Sequence, residues 1–233
     1  MRATNRTLVI MAKAPRLGAV KTRLAKNLSI QAVTELYRCL LEDTIALAQT
    51  LADVDIAIMC PASDVEDLSN AFATAVNVVP QTGDGLAAGL ASVFAHFSAC
   101  GRERIIAFNS DTPHLPASVL ETAFDLLTTR DLVIGPTHDG GYYLVGARTS
   151  HQGLFASDGM GTANALEVLL ERASKLQLSL AVMDPFYDID VAADLSQLAD
   201  ELHRTPAKAP RTAAWLAFRR RTLVEQQPTI GAP

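Results

Sequence analysis

Lys13, Arg16, Lys21 and Arg23 crowd into one short stretch, MAKAPRLGAVKTRLA (Met11–Ala25), with Pro15 and Gly18 between them. The stretch follows Leu8-Val9-Ile10, so it begins where an apolar core strand would end. Backbone N–H groups in a glycine-containing turn ahead of a helix N-terminus attract phosphate, and Lys and Arg add full charge. The loop has neither G-x-x-x-x-G-K-[ST] nor G-x-G-x-x-G, so it is not a P-loop or a dinucleotide fingerprint. The plain alternative is a solvated basic loop. Its place at a strand end, with four cations, a Pro and a Gly, favours a phosphate site.

Three acids answer these cations. Asp111 ends the run RIIAFNSD and precedes a Thr-Pro turn, where a carboxylate either holds a hard cation such as Mg²⁺ or shapes the turn. Asp188 and Asp190 alternate in PFYDIDVAADL, and in an extended segment both point to one side. Two carboxylates so placed repel unless a cation lies between them; alternatively, one caps the following helix. Together Asp111, Asp188 and Asp190 could complete one Mg²⁺ or Mn²⁺ site. Two glycine-rich turns complete the set. QTGDGLAAGL (Gln81–Leu90) is a βα turn that could admit a base or ribose. Asp139-Gly140-Gly141 is a hairpin signal whose glycines let a substrate approach the backbone, with Tyr142 or Tyr143 lining a pocket.

Other chemistries lack a signature. No Ser-His-Asp or Cys-His pattern is present, and His96, His114, His138, His151 and His203 are not spaced as zinc ligands. Cys39, Cys60 and Cys100 are odd in number and form no C-x-x-C pair, so neither a disulfide framework nor a structural zinc is expected.

The elements that must carry these residues follow from periodicity. Strands are expected at 7–12, 54–60, 77–81, 104–111, 131–137, 141–147 and 179–184. Helices are expected at 29–51, 64–72, 85–100, 118–128, 164–175 and 192–203. The alternation predicts an α/β fold with a largely parallel sheet and helices on both faces, and ligands then sit beyond the carboxyl ends of the strands. Every station named above, the Asp188/Asp190 pair included, gathers just after an expected strand. Residues 1–205 are expected to form one domain. Residues 206–233 read as a tail punctuated by Pro206, Pro210, Pro228 and Pro233, with a short amphipathic helix over RTAAWLAFRRRTLVE.

Of the 233 residues 49% are hydrophobic and 19% charged, enough to fill a core, and the net charge of −5 argues against nucleic acid as a partner. No stretch approaches a membrane span and the N-terminal apolar run is too short for a signal peptide, so a cytoplasmic protein is expected.

In this order the stations resemble the GT-A-like nucleotidyl and glycosyl transferase superfamily. The likeness is strongest to the rSAM/selenodomain-associated transferase family, with its AKAPxxGxVKTRLA, GSDxPxL, GPxxDGGYYLxG and YDxDTxxDL patterns. Here these read Ala12–Ala25, Asn109–Leu115, Gly135–Gly146 and Tyr187–Leu195, and the resemblance spans about Leu8 to Leu198. Where that family often has a Trp-Ser or Trp-Gly step, this chain reads LFASDGMGTANAL. A more distant likeness is to the 2-phospholactate and phosphoenolpyruvate guanylyltransferases.

The resemblance implies a GT-A-like, Rossmann-like sandwich and a metal-dependent transferase. Its donor would be a nucleotide sugar, favoured because that resemblance covers more of the chain, or a nucleoside triphosphate, and its acceptor a small molecule; the alternative from another class is a nucleotide-binding module without turnover. It implies Asp111, Asp188 and Asp190 as ligands of Mg²⁺ or Mn²⁺. It implies nucleotide contacts from Ala12, Lys13, Gly18, Lys21, Arg23, Gln81, Gly83, Asp84 and Gly85. Acceptor contacts fall to Asp139, Gly140, Gly141 and Tyr142, and Lys21, Arg23 and Asp111 are the residues of catalysis.

Overall fold

Apolar runs with no polar alternation belong inside a sheet covered on both faces. In a computed structural model, which describes residues 5–72, 74–156 and 164–225, those runs form seven strands in one sheet. They are β1 (Arg6–Met11), β2 (Asp55–Cys60), β3 (Asn77–Pro80), β4 (Arg104–Asn109), β5 (Leu132–Pro136), β6 (Tyr142–Ala147) and β7 (Leu180–Val182). The order is β3-β2-β1-β4-β6-β5-β7. All neighbours are parallel except β6, which runs antiparallel to both β4 and β5. The expected α/β architecture with a mostly parallel sheet is therefore the one observed.

Alternation along β1 divides the core. Leu8 and Ile10 pack on one face with Leu41, Ile45, Phe108 and Phe124. Val9 packs on the other with Val93, Phe94, Ile105 and Leu169. The first face is covered by α1 (Ile30–Ala48), α2 (Val65–Phe72) and α4 (Ala117–Leu126), the second by α3 (Gly85–Ala99) and α5 (Ala165–Lys175). The Ser29 hydroxyl caps α1 by accepting from the Ala32 N–H at 3.2 Å.

A third cluster joins Val33, Leu36 and Leu40 of α1 to Leu198 and Leu202 of α6 (Ala192–Arg204). The last helix, α7 (Pro210–Glu225), begins on α1. The buried carboxylate of Asp43 accepts from the Arg211 and Thr212 N–H groups at 3.2 and 2.8 Å, satisfying donors that every helix N-terminus leaves open. Pro228 and Pro233 lie outside the described residues.

This topology decides where a ligand can sit. From β1 the chain moves outward through β2 to β3, then returns to β4 on the other side of β1. The loops leaving β1 and β4 therefore diverge, and such a switch point is where open α/β sheets hold ligands. The β5–β6 turn and the segment after β7 open at the same sheet edge.

Candidate active site

The loop after β1 is built differently from a phosphate cradle of backbone amides. Its first N–H groups are spent internally: Ala12 on the Met59 carbonyl (3.1 Å), Lys13 on the Tyr37 hydroxyl (3.0 Å) and Ala14 on Asp64 Oδ2 (2.8 Å). The helix expected over 29–51 is present as α1, set back from the loop rather than directly behind it. A three-residue 3-10 turn, Leu24–Lys26, follows, and α1 starts only at Ile30. With those amides engaged, the side-chain cations carry the full charges that this loop can offer a phosphate.

The four cations do not act alike. Arg16 turns away and is held by Asp67 at 2.7 Å, Asp64 at 2.5 Å and the Ser63 carbonyl at 2.7 Å. It anchors the loop to the start of α2. Lys13 is exposed and Gly18, at φ +74°, turns the chain. Lys21 points inward from a left-handed backbone (φ +45°), uncommon for a residue with a side chain. Its ammonium, only 8% exposed, donates to Asp111 and, at 2.7 Å, to Asp190 Oδ1. Burial alone would lower the Lys21 pKa, but Asp111 and Asp190 together raise it, so the ammonium stays charged. Arg23 stands at the rim, 66% exposed, with Nη1 3.4 Å from Asp190 Oδ2.

The three acids come together as the sequence implied. Asp111, Asp188 and Asp190 offer carboxylate oxygens that all lie within 4.8 Å of one another. Ile189 between the last two is fully buried in the third core cluster, which turns both acids to the opposite side. Neither caps α6. Asp194 does so instead, accepting from the Asp190 and Val191 N–H groups at 2.9 and 2.8 Å. Burial and the neighbouring Asp111 and Asp190 push the Asp188 carboxyl up to about 7. Asp111 Oδ1 is buried with no hydrogen-bond partner among the described residues. A crowded all-oxygen donor set with one idle buried oxygen fits a hard divalent cation.

The other stations lie around this cluster to different degrees. In the turn between β5 and β6, Asp139 accepts from Thr137 Oγ1 (2.6 Å) and the Gly141 N–H (3.2 Å), which hold its carboxyl below the usual range. Arg23 acts on it in the same direction, and Asp139 in turn raises Asp188, so this turn shares the field of the acids. Gly141 has no room for more than hydrogen, since a Cβ would meet Thr137 Oγ1 at 2.8 Å. Gly140 takes φ +90°. Tyr143 belongs to the core, 1% exposed, with its hydroxyl on the Asp184 carbonyl at 3.3 Å; Tyr142 is half-buried.

The loop after β3 is largely self-satisfied. Gln81 Nε2 donates to the Gly83 and Gly85 carbonyls at 2.8 and 3.2 Å, and both glycines have positive φ. Asp84 is exposed at the N-cap of α3, making no side-chain cap. Residues 157–163 of LFASDGMGTANAL lie outside the described residues.

Two supports of the site lie outside the motifs of the sequence. The buried Tyr37 hydroxyl joins the two loops of the switch point, accepting from Lys13 N–H and lying 3.1 Å from Ser110 Oγ, next to Asp111. Asp64, 6% exposed, pins the basic loop through Ala14 and Arg16. Tyr37→Phe should strand the Lys13 N–H and the Ser110 hydroxyl, costing about 1–3 kcal/mol in urea unfolding. A loss below about 0.5 kcal/mol would show that water replaces the hydroxyl and that the link is dispensable. His114 also proves structural: fully buried and kept neutral by burial at a pKa of about 4. It packs 4.9 and 4.4 Å from the rings of Phe186 and Tyr187, just ahead of Asp188.

A family model described as "Uncharacterized protein conserved in bacteria (DUF2064)" matches residues 44–162. The chain belongs to the DUF2064 family. The matched segment holds Asp111, the loop after β3 and the Asp139 turn, while Lys21, Asp188 and Asp190 lie outside it. A crystal structure of a candidate nucleotide-diphospho-sugar transferase from Desulfovibrio desulfuricans G20 is 25% identical, with TM-score 0.85, over 96% of this chain and 98% of that one. A nucleotidyl transferase from Methanothermobacter is 16% identical, with TM-score 0.59, over 86% and 99%. The 4-diphosphocytidyl-2C-methyl-D-erythritol synthase of Anaerococcus prevotii is 11% identical, with TM-score 0.56, over 86% and 98%. No curated protein matches. This DUF2064 chain thus has the nucleotide-diphospho-sugar transferase fold, as its motifs implied, and shares it with transferases. No helix among the described residues is long and apolar enough to cross a membrane.

Proposed function

We propose that this protein is a metal-dependent glycosyltransferase that takes its sugar from a nucleotide-sugar donor. One observation carries the reading: Lys21 and Arg23 converge with Asp111, Asp188 and Asp190 at the switch point of the sheet. The likeness of nearly the whole chain to a candidate nucleotide-diphospho-sugar transferase supports it.

In this reading Asp111, Asp188 and Asp190 hold Mg²⁺ or Mn²⁺. When bound, the cation supplies positive charge to the donor's diphosphate. Lys21 and Arg23 bind the phosphate oxygens and neutralise the charge that builds up as the nucleoside diphosphate leaves. The loop after β3 borders the nucleoside, and Asp139, Gly140, Gly141 and Tyr142 border the acceptor, whose oxygen takes the anomeric carbon. A second reading is nucleotidyl transfer, in which an acceptor phosphate or carboxylate attacks the α-phosphorus of a nucleoside triphosphate and pyrophosphate leaves. The density of cations in the first loop favours a triphosphate and keeps this reading in view.

A donor panel separates the two. With Mn²⁺ present, a nucleotide sugar at a hundred times its Kd should stabilise the protein by about 2.7 kcal/mol, roughly 5–10 °C in Tm. Nucleoside diphosphate should then be released once a sugar acceptor is supplied. Pyrophosphate release from a nucleoside triphosphate would establish the second reading. If no donor raises Tm with or without metal, and Asp111→Ala changes nothing, neither reading stands.

A further inference from the structure

Lys21 occupies two of the three carboxylates that the proposed cation site would use. Its ammonium donates to Asp111 and Asp190, and Asp188 lies within reach of the same oxygens. The side chain is 8% exposed and is delivered by a left-handed backbone, so it is built into the cluster rather than lying across it. By contrast Arg23, two residues on, is largely exposed, and its salt bridge among the described residues is a long one, to Asp190 at 3.4 Å.

We propose that Lys21 is a resident counter-ion that closes the cation site until polyphosphate draws it away, so that metal and donor phosphate enter together. The inference rests on the three carboxylates being a cation site. A divalent cation arriving alone must either displace a buried ammonium from two carboxylates or sit beside it against strong repulsion. An incoming diphosphate or triphosphate changes that balance, because it offers the ammonium another anion at the same sheet edge. Asp111 and Asp190 are then freed for the metal. The two binding events become coupled by linkage, with a factor of the order expected for allosteric pairs, about 5–150-fold. The ligand this site takes up is therefore the metal complex of a nucleotide polyphosphate, and bare metal binds poorly. The left-handed Lys21 backbone supplies a second bias, since a swing to ordinary φ would relieve the steric crowding of that conformation.

The test measures Mn²⁺ binding to the full chain by electron paramagnetic resonance, with no donor present. Lys21→Met should bind Mn²⁺ at least about tenfold more tightly than the wild type, and Lys21→Met/Asp111→Asn should lose that gain. Equal or weaker Mn²⁺ affinity in Lys21→Met, with binding still dependent on Asp111, would overturn the lysine's role and leave the metal reading standing. No binding to either protein, and no effect of Asp111→Asn, would bring down the metal reading itself. A second measurement needs no variant. In wild-type crystals soaked in MnCl₂ to occupancy, the anomalous peak at the three carboxylates should coincide with a Lys21 ammonium moved off Asp111 and Asp190. Manganese bound there with both lysine contacts intact would overturn the inference.

Discussion

Asp111→Asn should lower turnover by about a thousandfold or more with whichever donor the wild type uses. The size follows from position. Asp111 leaves β4 at the switch point, contacts Lys21 and brings the idle Oδ1 to the acid cluster. An amide in its place keeps the shape but takes away what we propose is a charged metal ligand, and would leave an N–H₂ facing the cation. Losing a single group that stabilises developing charge costs about 10²–10³ in turnover, and a group that also holds the metal stands at or above that range. The measurement is the rate of nucleoside diphosphate or pyrophosphate release at saturating donor and Mn²⁺, on protein whose circular dichroism matches the wild type. A fall of less than tenfold would show that the acid cluster lies away from the reaction.

Lys21→Met should destabilise the metal-free protein by about 3 kcal/mol, because truncating one partner of a buried ion pair leaves the other charge uncompensated. For a chain of this length that is roughly 6–12 °C in Tm. The loss should be largest in chelator and partly recovered by Mn²⁺, which replaces the missing charge and binds the native state alone. Arg23→Ala provides the contrast. Its guanidinium is 66% exposed and its one contact with the acids is long, so its stability effect should stay within about 0.5 kcal/mol. Equal Tm losses for the two would mean that the depth of Lys21 in the cluster confers nothing. A Lys21→Met protein as stable as the wild type in chelator would mean that the three acids relieve their own repulsion by taking up protons.

These expectations differ for two cations of one loop that look equivalent on paper. MAKAPRLGAVKTRLA presents four positive charges, and local pattern ranks none of them. Arg16 is diverted because Asp64, on the turn after β2, and Asp67, at the start of α2, reach it first. Lys21 is chosen because its left-handed backbone aims it at Asp111, ninety residues on, and Asp190 beyond that. Tyr37 gives no sequence signal at all, since a tyrosine on the buried face of an amphipathic helix looks like any core residue. Asp64 and Asp194 are both acids near a helix start, yet only Asp194 spends its carboxylate on that helix, while Asp64 spends its own on the basic loop.

The sequence by itself determined the elements and the edge at which chemistry gathers. Short, β-branched apolar runs such as Leu8–Ile10 and Ile105–Phe108, bounded by turn residues, read as strands covered on both faces, and the polar, glycine-rich stretches after them then lie at the strand ends. Those are short-range facts of periodicity and backbone freedom, and they survive folding unchanged. The alternation of Asp188, buried Ile189 and Asp190 is of the same kind. The tertiary structure alone decided which stations meet. Pairing of β1 with β4 rather than with β3 sets the basic loop beside Asp111, and the return of the chain after β7 brings the two later acids across to them. Strand order is a global balance of burial among elements far apart in the chain, so no local pattern encodes it. Burial within that arrangement then turns one of four similar cations into the counter-ion of three acids.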